Sequence, residues 1–185
     1  MDLFPVVLDS DVIFSLPIRD TLLRAAEAGL YDLRWSQKIL DDATRNLVNK
    51  GRMTDQQAER LQQKLKTYFA EAMIEVPFEL VQVMTNHPGD RHVVATAVMA
   101  EAKVIVTFNL KHFPAESLRP WEIKAQHPDI FLTELYDTSP DLLVKIIEQQ
   151  SEDLKKPPVT LTELLGKLSQ QVPQFVKRVR QHFED

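Results

Sequence analysis

The spacing of apolar residues changes several times along this chain, and each change predicts an element. Pro5–Leu8 is a short apolar run that meets "DSDV", which predicts a strand followed by a turn. From Ile18 the spacing turns helical, with Ile18, Leu22, Ala25 and Ala26 on one side and Gly29 as the stop. Alternation of Tyr31, Leu33 and Trp35 predicts a second short strand. Ser36 then caps a helix through Val48, whose Ile39, Leu40, Ala43 and Leu47 keep the helical period. Gly51 breaks it, and Thr54 caps a further helix, rich in Gln, Glu and Lys, that runs to about Ala70.

"TNHPGD", Thr85 to Asp90, is a loop by composition. Asp90 opens a packed helix with Val93, Val94, Ala97 and Val98 on one side. That helix feeds Val104, Ile105 and Val106, a β-branched run that reads as a buried strand and stops on Thr107 and Asn109. Strands alternating with helices predict an α/β fold with a central parallel sheet, in which ligands bind beyond the carboxyl ends of the strands. Past Phe113 the texture changes. Prolines 114, 120, 128 and 140 punctuate short elements, and "DLLVKIIEQQ", "TLTELLGKLSQ" and "VPQFVKRVRQHF" are amphipathic helices. The expected division is an α/β domain over 1–139 and a helical extension over 140–185.

Composition narrows the class. A 44% hydrophobic fraction with 26% charged residues describes a chain with a real core. No apolar run approaches the roughly 20 residues that span a bilayer, and "MDLFPVVLDS" has no basic region ahead of its apolar run, so no membrane association and a cytoplasmic location are expected. The absence of cysteine excludes disulfides, thiolate metal sites and cysteine nucleophiles. A net charge of −5 argues against a plain basic nucleic-acid coat. The imbalance lies ahead of residue 141, because 141–185 carry equal numbers of acids and bases.

The acids therefore sit on the α/β part. Asp9 and Asp11 follow the first strand, and Thr107 and Asn109 close the later one, so the parallel frame gathers Asp9, Asn109 and Asp11 at one edge. Connectivity alone does not bring Asp90 there. Asp41 and Asp42 lie within the Ser36 helix, with Asp42 on the face of Ile39 and Asn46. Crowded carboxylates repel and are costly to desolvate unless a cation neutralises them. Oxygen ligands, with no cysteine and no obvious histidine pair, favour Mg2+ or Mn2+ over zinc. Each residue also has a plain structural reading: Asp90 as a helix cap, Asp41 and Asp42 as a solvated face, Asp11 as a turn residue, Asn109 as a strand stop, Thr107 as a strand former.

"VVLDSDVIFSL", "WSQKILDDATRNLV" and "PGDRHVVATAVMAEAKVIVTFNLKHFP" together resemble the PIN-domain family of metal-dependent ribonucleases, and within it the VapC-type toxins of toxin–antitoxin pairs. The likeness covers about residues 5–137, and the tail is similar to a helical C-terminal extension of one branch. The resemblance implies a three-layer α/β/α fold. It also implies a Mg2+- or Mn2+-dependent endoribonuclease, with Asp9, Asp42 and Asp90 holding the metal and Thr107 and Asn109 completing the catalytic set. Asp42 stands where glutamate is usual and Asn109 where aspartate is common; Asp11 and Asp41 are secondary candidates. Arg45, Lys111, Arg91 and the Lys177–Arg178–Arg180 run are candidate contacts to RNA backbone. The implied partners are an RNA substrate, a cognate antitoxin protein and a second copy of the chain. The alternative is a PIN-fold module that binds RNA or protein with little or no nuclease activity.

Overall fold

The computed structural model describes residues 3–184. Four short strands, β1 (Pro5–Leu8), β2 (Asp32–Arg34), β3 (Val104–Val106) and β4 (Lys124–Gln126), form one all-parallel sheet in the order β2-β1-β3-β4. Val6 pairs with Leu33 on one side and with Val104 on the other, and Ile105 pairs with Ala125. β1 and β3 are central, and Val6, Val7, Leu8, Ile105 and Val106 are all buried. Continuous β-branched and aliphatic runs are what a strand covered on both faces requires. β4 was not anticipated: "KAQ" is an edge strand with no apolar alternation, so its sequence carries no strand signal.

The helices that frame this sheet are α1 (Ser10–Phe14), α3 (Gln37–Asn49), α4 (Asp55–Tyr68), α5 (Phe78–Gln82), α6 (Arg91–Met99) and α7 (Ala115–Leu118). The helices expected between the first three strands are all present in that order. The expected turn at "DSDV" is instead the start of α1, because Asp9 caps it. The Asp9 carboxylate accepts from the Ser10 N–H at 2.7 Å, and its carbonyl accepts from Val12 at 3.2 Å. Ser36 caps α3 as expected, taking the Ile39 N–H at 3.3 Å. Thr54 and Gln57 form a capping box on α4. Beyond β2 the chain returns alongside Trp35, whose N–H reaches the Ala72 carbonyl at 3.0 Å and whose carbonyl takes the Ile74 N–H at 2.8 Å.

The described chain divides into two compact units. One runs up to Phe14 and resumes over Tyr31–Gln126; the other joins Ser15–Leu30 to the chain from His127 on. The second unit holds α2 (Ile18–Glu27), α8 (Pro128–Thr138), α9 (Pro140–Asp153), α10 (Leu161–Ser169) and α11 (Pro173–His182). Within it, the fully buried Thr21 hydroxyl donates to Gln150 Oε1 at 2.7 Å, and Gln150 Nε2 donates to the Pro17 carbonyl at 3.2 Å. Asp129 accepts from the Gln174 and Phe175 N–H groups and so satisfies the start of α11. The helical tail therefore folds around a helix contributed from the beginning of the chain. Apolar spacing identified α2 as a helix, but it carried no mark of which core the helix joins.

Candidate active site

The strand order reverses direction between β1 and β3: the chain goes from β1 outward to β2, then back past β1 to β3. Such a switch point opens a crevice at the carboxyl ends of the two strands. Asp9 stands directly on it. Its N–H continues the ladder to the Val106 carbonyl at 3.0 Å, and the Thr107 N–H does the same to Gln126 at 3.0 Å. The Thr107 hydroxyl lies 2.9 Å from Asp9 Oδ2 and 3.3 Å from Asp11 Oδ2, so its single proton is shared between two carboxylates. Asp11 Oδ2 also accepts the Phe108 N–H at 3.1 Å, while Asp11 Oδ1 is buried with no partner. The Asn109 N–H closes the turn on Thr107 Oγ1 at 3.0 Å.

Burial is the main force on Asp9, which is only 3% exposed. Together with the charges of Asp11 and Asp90, it pushes the Asp9 carboxyl up to about 8, against the lowering effect of Thr107 and Ser10. Burial also raises Asp11, to about 6, opposed by the N–H of Phe108 and the Thr107 hydroxyl. The Asp90 charge acts on both, so these three acids share one field. Asp90 stands at the N-cap position of α6, but its side chain makes no capping bond there among the described residues. Its Oδ2 lies 2.5 Å from His112 Nδ1 instead.

His112 Nδ1 is also 2.9 Å from the Asn109 carboxamide, and the His87 ring stacks on the His112 ring with centroids 3.7 Å apart and planes 4° from parallel. One nitrogen carries one proton. A proton on Nδ1 directed at Asp90 requires Asn109 to turn its amide oxygen toward it. Asn109 thus meets the acid cluster through His112. Sequence reading noted no histidine pair, yet His87, Asp90 and His112 bring potential ligand atoms within 4.8 Å of one another. The 24 residues between the two histidines hide that pairing, which depends on the Asn86 and His87 turn bonding back to the His112 carbonyl.

Asp42 has different company. Lys38 Nζ lies 3.0 Å and Arg45 2.6 Å from Oδ1, and His92 Nε2 lies 3.0 Å from Oδ2. Burial works to raise the Asp42 carboxyl, but Lys38, Arg45 and His92 bring it below its ordinary value. Burial holds His92 below its usual value, and the charges of both Asp42 and Asp90 act on it in the other direction. Both ring nitrogens are buried and neither makes a hydrogen bond among the described residues, so Nε2 meets Asp42 as a close contact only. Asp41 turns away, bonding Gln37 at 2.8 Å and Gln62 at 3.0 Å. Among the predicted RNA contacts, Arg45 is engaged with Asp42, Arg91 donates to the Asn86 carbonyl at 3.1 Å, and Arg178 pairs with Asp137 at 3.6 Å in the second unit.

The donor set fits a hard divalent cation. It consists of carboxylate oxygens, one of them buried and unpartnered among the described residues, on two acids whose proton affinity is raised by burial first and by neighbouring carboxylates second. Asp9 and Asp11 offer such oxygens at the switch point, and Asp90 offers one within 4.8 Å of ligand atoms of His87 and His112.

The chain belongs to the PIN-domain family: residues 5–111 match the PIN domain model. Residues 128–181 match the model described as the VapC50 C-terminal domain. A relative from Mycobacterium tuberculosis (strain H37Rv), "Putative ribonuclease VapC50", is 45% identical over 105 residues. That match takes in 57% of this chain and 62% of the relative, less than two thirds of its length. No solved structure matches the chain significantly.

Proposed function

We propose that this chain is a Mg2+- or Mn2+-dependent endoribonuclease and the toxin component of a toxin–antitoxin pair. The observation that carries the reading is the pair Asp9 and Asp11 bridged by the Thr107 hydroxyl at the switch point, with Asp11 Oδ1 buried and unpartnered among the described residues. The relative's name and the PIN-domain match point the same way.

The reaction is hydrolysis of an RNA phosphodiester. Water oxygen bonds to phosphorus, the bond to the 3′ oxygen breaks, and that oxygen takes up a proton. A bound divalent cation lowers the pKa of water and offsets charge on the phosphate in transition. Asp9 and Asp11 contribute oxygens to that cation, and the Thr107 hydroxyl and the Phe108 N–H fix their orientation. His112 holds Asp90 in place, and Asn109 in turn contacts the His112 ring. Lys38 and Arg45 give the rim positive charge for the RNA backbone, and Asp42 orients both. In RNA cleavage assays with Mg2+ or Mn2+, native protein cuts, while Asp9→Asn and excess EDTA each lower the rate at least about 100-fold. Unchanged cleavage in either case rejects the proposal.

The second reading is a PIN-fold binding module with weak or no nuclease activity. It is favoured by the Lys38 and Arg45 pairs that already neutralise Asp42. Calorimetric titration with Mn2+ separates the two, since the module predicts no metal binding even beside RNA.

The toxin reading brings a small antitoxin protein as partner, with a second copy of the chain in a homodimer, and places the pair in the cytoplasm. No helix among the described residues is long and apolar enough to cross a membrane. Expression of the chain alone arrests growth, and co-expression of the neighbouring small gene restores it. Normal growth without that gene counts against the toxin role.

A further inference from the structure

His87, Asp90 and His112 form a cluster in the first unit that differs in chemistry from the acids at the switch point. Asp9 and Asp11 offer oxygen alone. This cluster offers two imidazoles and one carboxylate, with potential ligand atoms all within 4.8 Å of one another. Imidazole nitrogen suits Zn2+, whereas Mg2+ takes oxygen, and the affinity of a nitrogen site for dications rises from Mn2+ toward Zn2+. Two histidines, one carboxylate and a water make up the four positions that Zn2+ prefers.

The backbone already brings the ligands together. The Asn86 carboxamide and the His87 N–H both donate to the His112 carbonyl, at 3.2 and 3.3 Å. The His112 N–H in turn reaches the Asn109 carbonyl at 3.0 Å. The loop ahead of α6 and the turn after β3 are therefore fastened to one another without a metal, so an ion meets donors that need not be gathered from a loose chain. The side chains still have to move a short way. Their rings stack within 4° of parallel, and parallel imidazoles cannot both aim an in-plane lone pair at one ion. His112 Nδ1 and Asp90 Oδ2, at 2.5 Å, also stand closer than the roughly 3.3 Å between two ligands of a tetrahedral Zn2+. His87 is the part able to adjust. It is exposed, and the bond from the Gly89 N–H to its Nδ1, at 3.1 Å, is the only hydrogen bond of its ring among the described residues.

We propose that His87, Asp90 and His112 bind one Zn2+, which clamps the loop ahead of α6 to the turn after β3. The site goes beyond the ribonuclease reading and does not depend on it, since neither Asp9 nor Asp11 takes part. Binding turns the exposed His87 ring out of the stack and sets the ion between His112 and Asp90.

The test is a calorimetric titration of the full chain with Zn2+ in excess Mg2+, which keeps oxygen-only sites filled. One Zn2+ binds per chain, and His87→Ala and His112→Ala each weaken it at least about ten-fold. Asp9→Asn binds Zn2+ as the native chain does. Because the ion binds the folded chain, it raises the native melting temperature, and both histidine variants lose that rise. Without Zn2+, His87→Ala melts with the native chain, as an exposed position allows, so its lost affinity is not lost folding. In NMR spectra the ring resonances of His87 and His112 shift with Zn2+ and stay in place with Mg2+ alone. Absence of Zn2+ binding in excess Mg2+ overturns the proposal. So does an affinity that either histidine variant leaves unchanged or that Asp9→Asn removes. Whether the chain cuts RNA bears on the ribonuclease reading alone.

Discussion

Asp9 joins two tasks that pull against each other. Its carboxylate caps α1 through Ser10 and is also the most deeply buried acid of the cluster. A group with a folded pKa near 8 and an unfolded value near 3.8 stabilises the fold fully below the unfolded value, and that contribution disappears as pH rises through 8. Asp11, raised to about 6, acts in the same direction at lower pH. His92 and Asp42, both lowered, act in the opposite sense in the acid range, so the window from about pH 6.5 to 9 isolates Asp9. Metal-free protein should lose thermal stability across that window, and Asp9→Asn should flatten the slope. A melting temperature that rises with pH there would contradict the burial argument. At the same scale, Asp11→Asn should reduce RNA cleavage far more than Asp41→Asn, which touches only Gln37 and Gln62 near the surface. Sequence alone ranked these two acids together. What separates them is which way a strand end and a helix face turn, and the apolar period shows that for Asp42 but not for Asp11.

Elements were legible where burial imposes a period. The Val104–Val106 run, the Ser36 cap and the Thr54 cap all leave direct marks in the sequence, and the structure has them in place. The short α1 was hidden because one aspartate serves both as strand end and as helix cap. β4 was hidden because an edge strand needs no apolar alternation. Caps also matter to the site. Ser36 fixes the start of α3, from which Lys38 and Asp42 project toward His92. Ser36→Ala should therefore cost about 1 kcal/mol in chemical denaturation, the usual worth of such a cap. It should also weaken RNA binding, because Lys38 loses its anchor. A loss of stability with RNA affinity unchanged would mean that α3 holds its register without the cap.

For the whole molecule, the sequence predicted a parallel α/β fold with helices added after it, and the structure has both. It could not show that Ser15–Leu30 groups with the chain from His127 on, because pairings such as Thr21 with Gln150 join residues far apart in sequence. The histidines escaped for the same reason. His87 and His112 meet only because a loop and a strand end converge. The parallel frame did place the ends of β1 and the Thr107 strand side by side, as the pairing of β1 with β3 has them, but connectivity carried no mark of where Asp90 would lie. The account as a whole depends on a divalent ion relieving that crowding. Mn2+ titration of the native chain by calorimetry at pH 7, repeated in buffers of different ionisation enthalpy, tests this most directly. Binding should release close to one proton, because the ion displaces the one that Asp9 retains at this pH, and Asp9→Asn should abolish both the binding and the release. Mn2+ that fails to bind, or that binds Asp9→Asn as well as native protein, would contradict it.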